Sequence, residues 1–340
     1  MTNRSSFPER LADILGSDRI RVVDVGARGG WAPKWKPFRP WLTMIGFEPE
    51  AAEFERLEAS VLDHEVIHSA ALSHSQGEVL LHVTRNPYCS SLYPPNQSLV
   101  QRLRPGDKRM EVVETQSLQA TTLDRVLAEI DMPSVDFIKL DTQGSELDIL
   151  RGSEISLGRG VIGVEVEVQF LPLYQGAALF SEVHAFLSGW GFQLMGFPNI
   201  CGTGDFRSAL DPSEGGTPLF SRWREALRAP LGRFRGERQF LYGDAVYFRP
   251  TAWLGGSTIE HEEERALWLS KATILACAVG YYEHALHCVD VGVRSAWINP
   301  GHARSLRGIV DEVSTMPTNI RRDILRTGRK GVRKALGLRL

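Results

Sequence analysis

The sequence predicts an α/β fold built around a parallel sheet. Short runs of Val, Ile and Leu alternate with segments of helical spacing, which is the pattern of repeated βαβ units. The first run, Val22–Val25, passes directly into Gly26, as a buried strand does where the backbone turns tightly beside a ligand. The 340 residues suffice for one large domain with an appendage or for two smaller domains. We predict the first arrangement, with residues 1–250 as the main domain.

Strands and helices follow one another through this domain. The predicted strands cover residues 19–25, 42–47, 65–72, 135–140, 161–168, 191–197 and 244–249. A short amphipathic helix precedes the first strand, and further helices are predicted over residues 51–62, 122–130, 144–150 and 180–187. Thr122 has a hydroxyl suited to capping the helix that it begins, and Pro250 stops the last strand.

Residues 77–83 break the alternation, because they have strand composition but no helix precedes them. We expect an inserted strand here, with residues 110–115 as its antiparallel partner. Residues 86–108 and 198–240 are rich in turn-forming residues and are predicted to be long insertions, which are usually functional or mobile. Trp31–Phe38 contains prolines that exclude a continuous helix, so this loop either forms a wall of a ligand pocket or covers the end of the sheet.

Composition and charge exclude several classes of protein. A hydrophobic content of 43% is typical of a globular chain, and a net charge of −2 provides no field that attracts nucleic acid. The four cysteines form no C-x-x-C pair, and residues 1–18 lack the apolar core of a signal peptide. No apolar run approaches the ~20 residues that span a bilayer. We therefore predict a cytoplasmic protein that binds no nucleic acid. We also predict that it binds no metal, because no group of residues has a spacing diagnostic of metal ligands.

Beyond residue 250 the pattern changes to long helices, of which 262–279 and 281–289 are the clearest. Gly280–Leu286 resembles the turn of a tetratricopeptide unit, but a single unit cannot bury its own apolar face. We therefore predict a helical extension over 251–320 that packs on the sheet or on a second copy of the chain. Residues 321–340 are strongly basic; we expect a flexible tail, with a helix lying on a membrane surface as the alternative.

The turn after the first strand lacks the G-x-G-x-x-G spacing of dinucleotide-binding proteins. Arg28 occupies the position of the second glycine, so the backbone leaves no room for a diphosphate in the usual place. Glu48 ends the second strand roughly 20 residues after Gly26, where an acid can accept hydrogen bonds from both ribose hydroxyls. An adenosine cofactor without a diphosphate points to S-adenosylmethionine.

Asp141 follows a central strand, at the edge where open α/β sheets bind ligands. It belongs to a series of motifs: Val23–Ala27, Phe47–Pro49, Ala71–Ser73, Ser90–Leu92, Thr122–Asp124 and Phe137–Leu147. In this order, between about residues 22 and 249, they resemble the FkbM family of S-adenosylmethionine-dependent methyltransferases. The resemblance implies a Rossmann-like, seven-stranded class I methyltransferase sheet. It also implies methyl transfer to a hydroxyl of a carbohydrate, glycolipid or polyketide-type acceptor. Arg28–Gly30 departs from the family pattern of a small polar residue and one glycine.

The candidate site residues come from these motifs and from the resemblance. The candidate cofactor-binding residues are Asp24, Gly26, Ala27, Arg28, Gly29, Glu48, His68, Ser69, Ala70, Ser91, Asp141 and Gln143. Asp141 is also the first candidate for the base that removes the acceptor proton; its alternatives are contact with the methionine part of the cofactor and capping of the next helix.

Glu165 and Glu167 are the other catalytic candidates. They alternate with valines on one strand, so both carboxylates face the same side of the sheet. The alternative is that one is paired with an arginine and the other reaches solvent. Two other functions also fit the pattern less well: a nicotinamide-dependent oxidoreductase, against which the missing G-x-G counts, and a non-catalytic scaffold with a methyltransferase-like fold.

Overall fold

The centre of the protein is a seven-stranded sheet. The computed structural model describes residues 6–316, except 104–105, 133, 203–238, 258 and 260. The strands, in chain order, are β1 (Ile20–Val25), β2 (Leu42–Phe47), β3 (Glu65–His68), β4 (Ala71–Leu72), β5 (Gly77–Thr84), β6 (Val112–Thr121), β7 (Phe137–Leu140), β8 (Gly163–Gln169), β9 (Gln193–Gly202) and β10 (Phe240–Phe248). The helices are α1 (Phe7–Leu15), α2 (Ala51–Glu58), α3 (Gln97–Leu103), α4 (Leu123–Glu129), α5 (Glu146–Arg151), α6 (Glu154–Gly158), α7 (Phe180–Gly189), α8 (Glu262–Val279), α9 (Tyr282–Arg294) and α10 (Pro300–Thr315).

The order of strands in the central sheet is β3-β2-β1-β7-β8-β10-β9. β10 is antiparallel to both of its neighbours, and the remaining neighbours are parallel. The chain therefore builds outward from β1 to β3 and then crosses to β7 on the other side of β1. The predicted α/β class and its seven-stranded sheet are confirmed.

Apolar side chains cover both faces of this sheet, which explains why its strands are nearly continuous apolar runs. One face carries Val23, Ile138 and Val166, which belong to a core shared with α4–α7. The opposite face carries Val22 and Phe137, which belong to a core shared with α1 and α8–α10. The helices that follow residue 250 thus form the second helical layer over the sheet.

A buried ion cluster ties α8 to the amino ends of β1 and β7. Lys271 Nζ lies 3.0 Å from Asp18 Oδ2 and 3.2 Å from Asp136 Oδ2. Asp136 Oδ2 also accepts a hydrogen bond from the backbone N–H of Arg21 at 2.7 Å. Burial raises the pKa of Asp136, and the charge of Lys271 opposes this shift. A lysine on the helical layer therefore compensates a carboxylate that the sheet buries.

The predicted strand 65–72 is wrong in one respect, because it forms two strands in two sheets. Glu65–His68 pairs with β2 in the central sheet, whereas Ala71–Leu72 pairs with the end of β6. The chain changes partners at Ser69 and Ala70, and β4, β6 and β5 form a separate three-stranded sheet. The predicted antiparallel insertion is confirmed, since β5 pairs with β6.

The predicted insertions also acquire structure. Residues 86–108, expected to be a loop, contain a 3-10 turn at Pro87–Cys89 and helix α3, whose Leu99 and Leu103 are buried. β9 continues to Gly202 and β10 begins at Phe240, so strands occupy both ends of the predicted insertion 198–240. Residues 203–238 of that insertion and the basic tail, 321–340, lie outside the described residues.

Candidate active site

The site is built where the ends of β1 and β7 meet. Gly26 and Ala27 both donate their backbone N–H to the Phe47 carbonyl, at 3.1 and 3.0 Å. Asp141 N–H donates to the Val25 carbonyl at 3.0 Å. Gly26 has φ of +80°, and a Cβ at this position would lie 2.1 Å from the Asp141 carbonyl oxygen. Glycine is therefore required both by the backbone conformation and by the contact between the two strand ends.

Gly26→Ala is expected to destabilise the fold by at least about 2 kcal/mol, because it adds left-handed strain to a backbone clash. Urea unfolding measures this loss. The control is Gly189→Ala: Gly189 ends α7 with no atom within 4 Å of a built Cβ, so that substitution should be neutral or stabilising. Equal stability of the two variants would contradict the role given to Gly26.

Glu48 follows β2 and is buried, with 4% of its surface exposed. Its Oε1 accepts from Glu50 N–H at 3.0 Å and lies 3.4 Å from Arg28 Nη2. Burial raises the pKa of Glu48, and the charge of Arg28 opposes this. Arg28 also pairs with Glu50 at 2.9 Å, while Glu53 Oε1 accepts from Gly29 N–H at 2.7 Å. The acids at the start of α2 thus hold the glycine turn beside Glu48.

Glu48→Ala is expected to weaken binding of S-adenosylhomocysteine by more than ~1.5 kcal/mol, because buried hydroxyls of the ribose would lose their acceptor. Calorimetric titration measures the affinity. Glu55→Ala removes an exposed acid of α2 and should leave the affinity unchanged. An unchanged affinity for Glu48→Ala would mean that the strand-end acid is not the ribose ligand.

His68 ends β3 next to Glu48 and stacks on Phe47, with ring centroids 5.3 Å apart. Burial lowers the pKa of His68, which favours the neutral form of its ring. Within the described residues its buried Nε2 has no hydrogen-bond partner. Ser69 and Ala70 link this strand end to β4. The buried Phe47 therefore supports the partly exposed His68 ring, which offers a flat surface suited to a heterocycle.

On the face of the sheet that carries α8–α10, charged residues lie on the neighbouring strands β1, β7, β8 and β10. The register pairs Asp24 on β1 with Lys139 on β7, and Lys139 with Glu165 on β8. It also pairs Glu167 on β8 with Asp244 on β10. Cross-strand partners share a face, so these side chains form one polar surface next to the glycine turn.

Two lysines are paired within this surface. Lys139 Nζ lies 3.0 Å from Asp24 Oδ1 and 3.6 Å from Asp141 Oδ2. Lys34, in the 3-10 turn at Pro33–Trp35, forms an ion pair with Glu165. The Trp- and Pro-rich loop therefore places a cation over β8. The alternative of an ion pair for Glu165 is realised, with a lysine in place of the expected arginine.

Gln143 connects the carboxylates of Asp141 and Glu167 through hydrogen bonds. Its Nε2 donates to Asp141 Oδ1 and to Glu167 Oε1, both at 2.9 Å. Its own Oε1 accepts from the Tyr174 hydroxyl at 3.1 Å, and its backbone carbonyl accepts from Ser91 Oγ at 2.8 Å. Gln143 has φ of +62°, so neighbouring groups hold this residue in an uncommon conformation. Ser91 therefore orients the turn that carries Gln143.

The environment of Glu167 favours its neutral form. Burial raises the pKa of Glu167 well above its usual value, and the charges of Asp141 and Asp244 raise it further. Burial also raises the pKa of Asp244 to about 6, with contributions from Glu165 and Asp141. Asp244 Oδ2 accepts from Asn199 Nδ2 at 2.8 Å. Glu167 and Asp244 thus face each other, and neither forms an ion pair with another described residue.

The structure brings most of the sequence candidates to one edge of the sheet. The residues that lie around the ends of β1, β2, β3 and β7 are Asp24, Gly26, Ala27, Glu48, His68, Asp141 and Gln143. Glu167 is connected to this group by its hydrogen bond with Gln143. Sequence reasoning missed Lys34, Lys139, Tyr174 and Asp244. A charged residue inside an apolar strand was the available signal for Lys139 and Asp244, whereas Lys34 and Tyr174 come from irregular segments.

The strand order, the glycine turn after β1 and the acid after β2 define the fold and the cofactor site of a class I S-adenosylmethionine-dependent methyltransferase. A family model described as the methyltransferase FkbM domain matches residues 24–194. The chain belongs to the FkbM methyltransferase family, and its cofactor is S-adenosylmethionine. The oxidoreductase interpretation is therefore set aside.

Similar solved structures come from several organisms. The magnesium protoporphyrin IX methyltransferase of Synechocystis PCC 6803 with bound S-adenosylmethionine has 10% identity and a TM-score of 0.28, over 72% of this chain and 76% of that chain. The YcgJ protein of Bacillus subtilis has 11% identity and a TM-score of 0.31, over 71% and 98%. Human methyltransferase-like protein 13 in complex with S-adenosylhomocysteine has 13% identity and a TM-score of 0.29, over 81% and 90%. No curated protein sequence matches the chain.

The residues at this edge fit the cofactor. With the cofactor bound, Glu48 would offer carboxylate oxygens to the ribose, the His68 ring would lie against the adenine, and Asp24 would offer negative charge to the cationic methionine end. Among the described residues, no group of three or more His, Cys, Asp and Glu side chains is arranged to hold a metal ion. In the same part of the chain, no helix has the length and apolar character to cross a bilayer.

Proposed function

We propose that the protein transfers the methyl group of S-adenosylmethionine to a hydroxyl oxygen of a carbohydrate, glycolipid or polyketide-type acceptor. The observation that carries this proposal is the hydrogen bonding of the Glu167 carboxylate. Gln143 holds its Oε1 at 2.9 Å, while Oε2 has no hydrogen bond to any described residue. A buried carboxylate with one fixed and one free oxygen is suited to accept a proton from a hydroxyl.

Bound S-adenosylmethionine supplies an electrophilic methyl group on a sulfonium. The protein must hold the acceptor oxygen about 3 Å from that carbon, in line with the bond that breaks. A hydroxyl is a poor nucleophile until its proton leaves, and a positioned base accelerates such a step by ~10²–10⁴-fold. Glu167, with its raised pKa, is the better base, because Asp141 is paired with Lys139. Asp141 and Gln143 then orient Glu167.

The polar surface next to Glu167 supports a hydroxylated acceptor. Asp244, Asn199 and Glu165 offer acceptor and donor groups along β8, β9 and β10, and paired carboxylate oxygens bind neighbouring hydroxyls of a sugar well. We extend the proposal to a cytoplasmic enzyme that binds no nucleic acid and forms a homo-oligomer through the helical layer. Contact of the basic tail, 321–340, with a membrane concerns residues outside those described.

The test uses the full chain, tritiated-methyl S-adenosylmethionine and separate extracts of sugars, glycolipids and polyketides. Methyl ethers survive mild alkali, whereas methyl esters release methanol. We expect label in an alkali-stable, hydroxyl-derived product, with less transfer by the Glu48→Ala variant when the concentration of S-adenosylmethionine is low. Label that alkali releases as methanol, or label on nitrogen, would contradict the proposed O-methylation and leave only the methyltransferase class.

A further inference from the structure

Lys139 is a buried cation at the point where β1 and β7 meet. Its side chain is 16% exposed, and its Nζ lies 3.0 Å from Asp24 Oδ1 and 3.6 Å from Asp141 Oδ2. The register sets it directly opposite Asp24 on one side and Glu165 on the other. A buried ammonium group is costly unless it is paired, so these carboxylates stabilise it and it stabilises them.

We propose that Lys139 is a positioning residue that bridges Asp24 and Asp141 and holds both carboxylates in place across the junction of β1 and β7. Asp24 lies on the cofactor side of this bridge, beside the glycine turn. Asp141 lies on the acceptor side, where Gln143 connects it to Glu167. The bridge rests on the methyltransferase family and its cofactor and does not depend on the identity of the acceptor.

Charged groups from every neighbouring element face this bridge. They are Asp24 on β1, Asp141 after β7, Glu165 on β8 and Lys34 in the 3-10 turn. Lys34 forms its ion pair with Glu165, so among the described residues Lys139 provides the ion pairs of Asp24 and Asp141. Replacing Lys139 with a neutral residue would leave the buried carboxylate of Asp24 and the partly exposed carboxylate of Asp141 without an ion pair.

The surroundings of Asp24 determine the direction in which its pKa changes when Lys139 is replaced. Burial raises the pKa of Asp24, the charge of Asp141 raises it as well, and Lys139 and Lys34 oppose these effects. Without Lys139 the pKa of Asp24 rises further, because the largest charge that opposes the effect of burial is removed. Below that pKa Asp24 is neutral and loses its attraction for the cationic amino group of the cofactor. Cofactor affinity should therefore fall as the pH falls.

Calorimetric titration with S-adenosylhomocysteine tests this expectation in the full chain. Between about pH 8 and pH 6 the dissociation constant of Lys139→Met should rise by about tenfold, whereas that of the wild type should change by less than about twofold. Lys36→Met removes the same charge from an exposed position of the nearby loop and should behave as the wild type. Lys139→Arg should restore most of the flat profile.

A purely structural role gives a different result. In that case Lys139→Met would lower the melting temperature and weaken binding equally at both pH values, which would overturn the proposal. Adding Lys139→Met to Asp24→Asn separates the two cases, because a bridge predicts no new pH dependence in that background. Should Lys139→Met fail to fold, Lys139→Gln allows the same comparison, and a flat profile for it overturns the proposal equally.

Discussion

Replacing Glu167 with Gln is expected to lower methyl transfer by ~10²–10⁴-fold while leaving the affinity for S-adenosylhomocysteine within about threefold. Glutamine keeps the shape and the hydrogen bond to Gln143 but cannot accept the proton of the acceptor. Glu167 lies on β8, away from the ribose and adenine positions, so cofactor binding should persist. Initial rates with the acceptor found by labelling, together with calorimetry, measure the two effects.

The pH dependence of the wild-type rate provides a second readout of Glu167. A base acts when it is deprotonated. The rate should therefore be low at a pH below the raised pKa of Glu167 and should increase as the pH rises through that pKa. Glu114→Gln, on the exposed part of β6, is the matched control and should change neither rate nor profile. A large loss of rate in Asp141→Asn with a small loss in Glu167→Gln would assign the base to Asp141 instead.

Lys271→Met should lower the free energy of unfolding by about 3–5 kcal/mol, because it leaves the Asp136 carboxylate buried without a cation. Lys271 is 4% exposed and Asp136 is 8% exposed, so water cannot replace the lost partner. Methionine keeps the length of the side chain and its apolar contacts within α8. Urea unfolding of the full chain measures the change.

The exposed pair of Arg307 and Asp290, 2.7 Å apart, is the control for this prediction. Arg307→Met should cost no more than about 1 kcal/mol, because water screens that pair. The deficit of Lys271→Met should also shrink as the pH falls, since an unpaired Asp136 has a raised pKa and can be protonated. Equal losses for the two variants would mean that apolar contacts alone hold α8 on the sheet.

The sequence predicted those strands that short-range residue patterns define. β1 and β2 are short apolar runs that end at a glycine or an acid, and both lie within a residue of their predicted bounds. The division of 65–72 could not be predicted, because β4 leaves the central sheet only by pairing with β6, about fifty residues further along the chain. Such a choice of partner depends on contacts that no local window contains.

In the candidate site, too, the sequence predicted some features and not others. The position of Asp24, Glu48 and Asp141 at strand ends follows from the sequence, because parallel strands bring their carboxyl ends to one edge. The pairing of Lys139 with Asp24, and of Lys34 with Glu165, depends on register and on the path of a loop. Sequence therefore identified the carboxylates but not the cations that determine which of them can act as a base.

The order of elements along the chain has a consequence for synthesis on the ribosome. α8–α10 are translated after β10, yet they cover the sheet face that carries Val22 and Phe137. The ion pair between Arg10 on α1 and Glu312 on α10 joins the first described helix to the last. During translation α1 alone among these helices can cover that apolar face until α8–α10 emerge, so the nascent chain should need chaperone protection, and a product that stops after β10 should aggregate or be degraded.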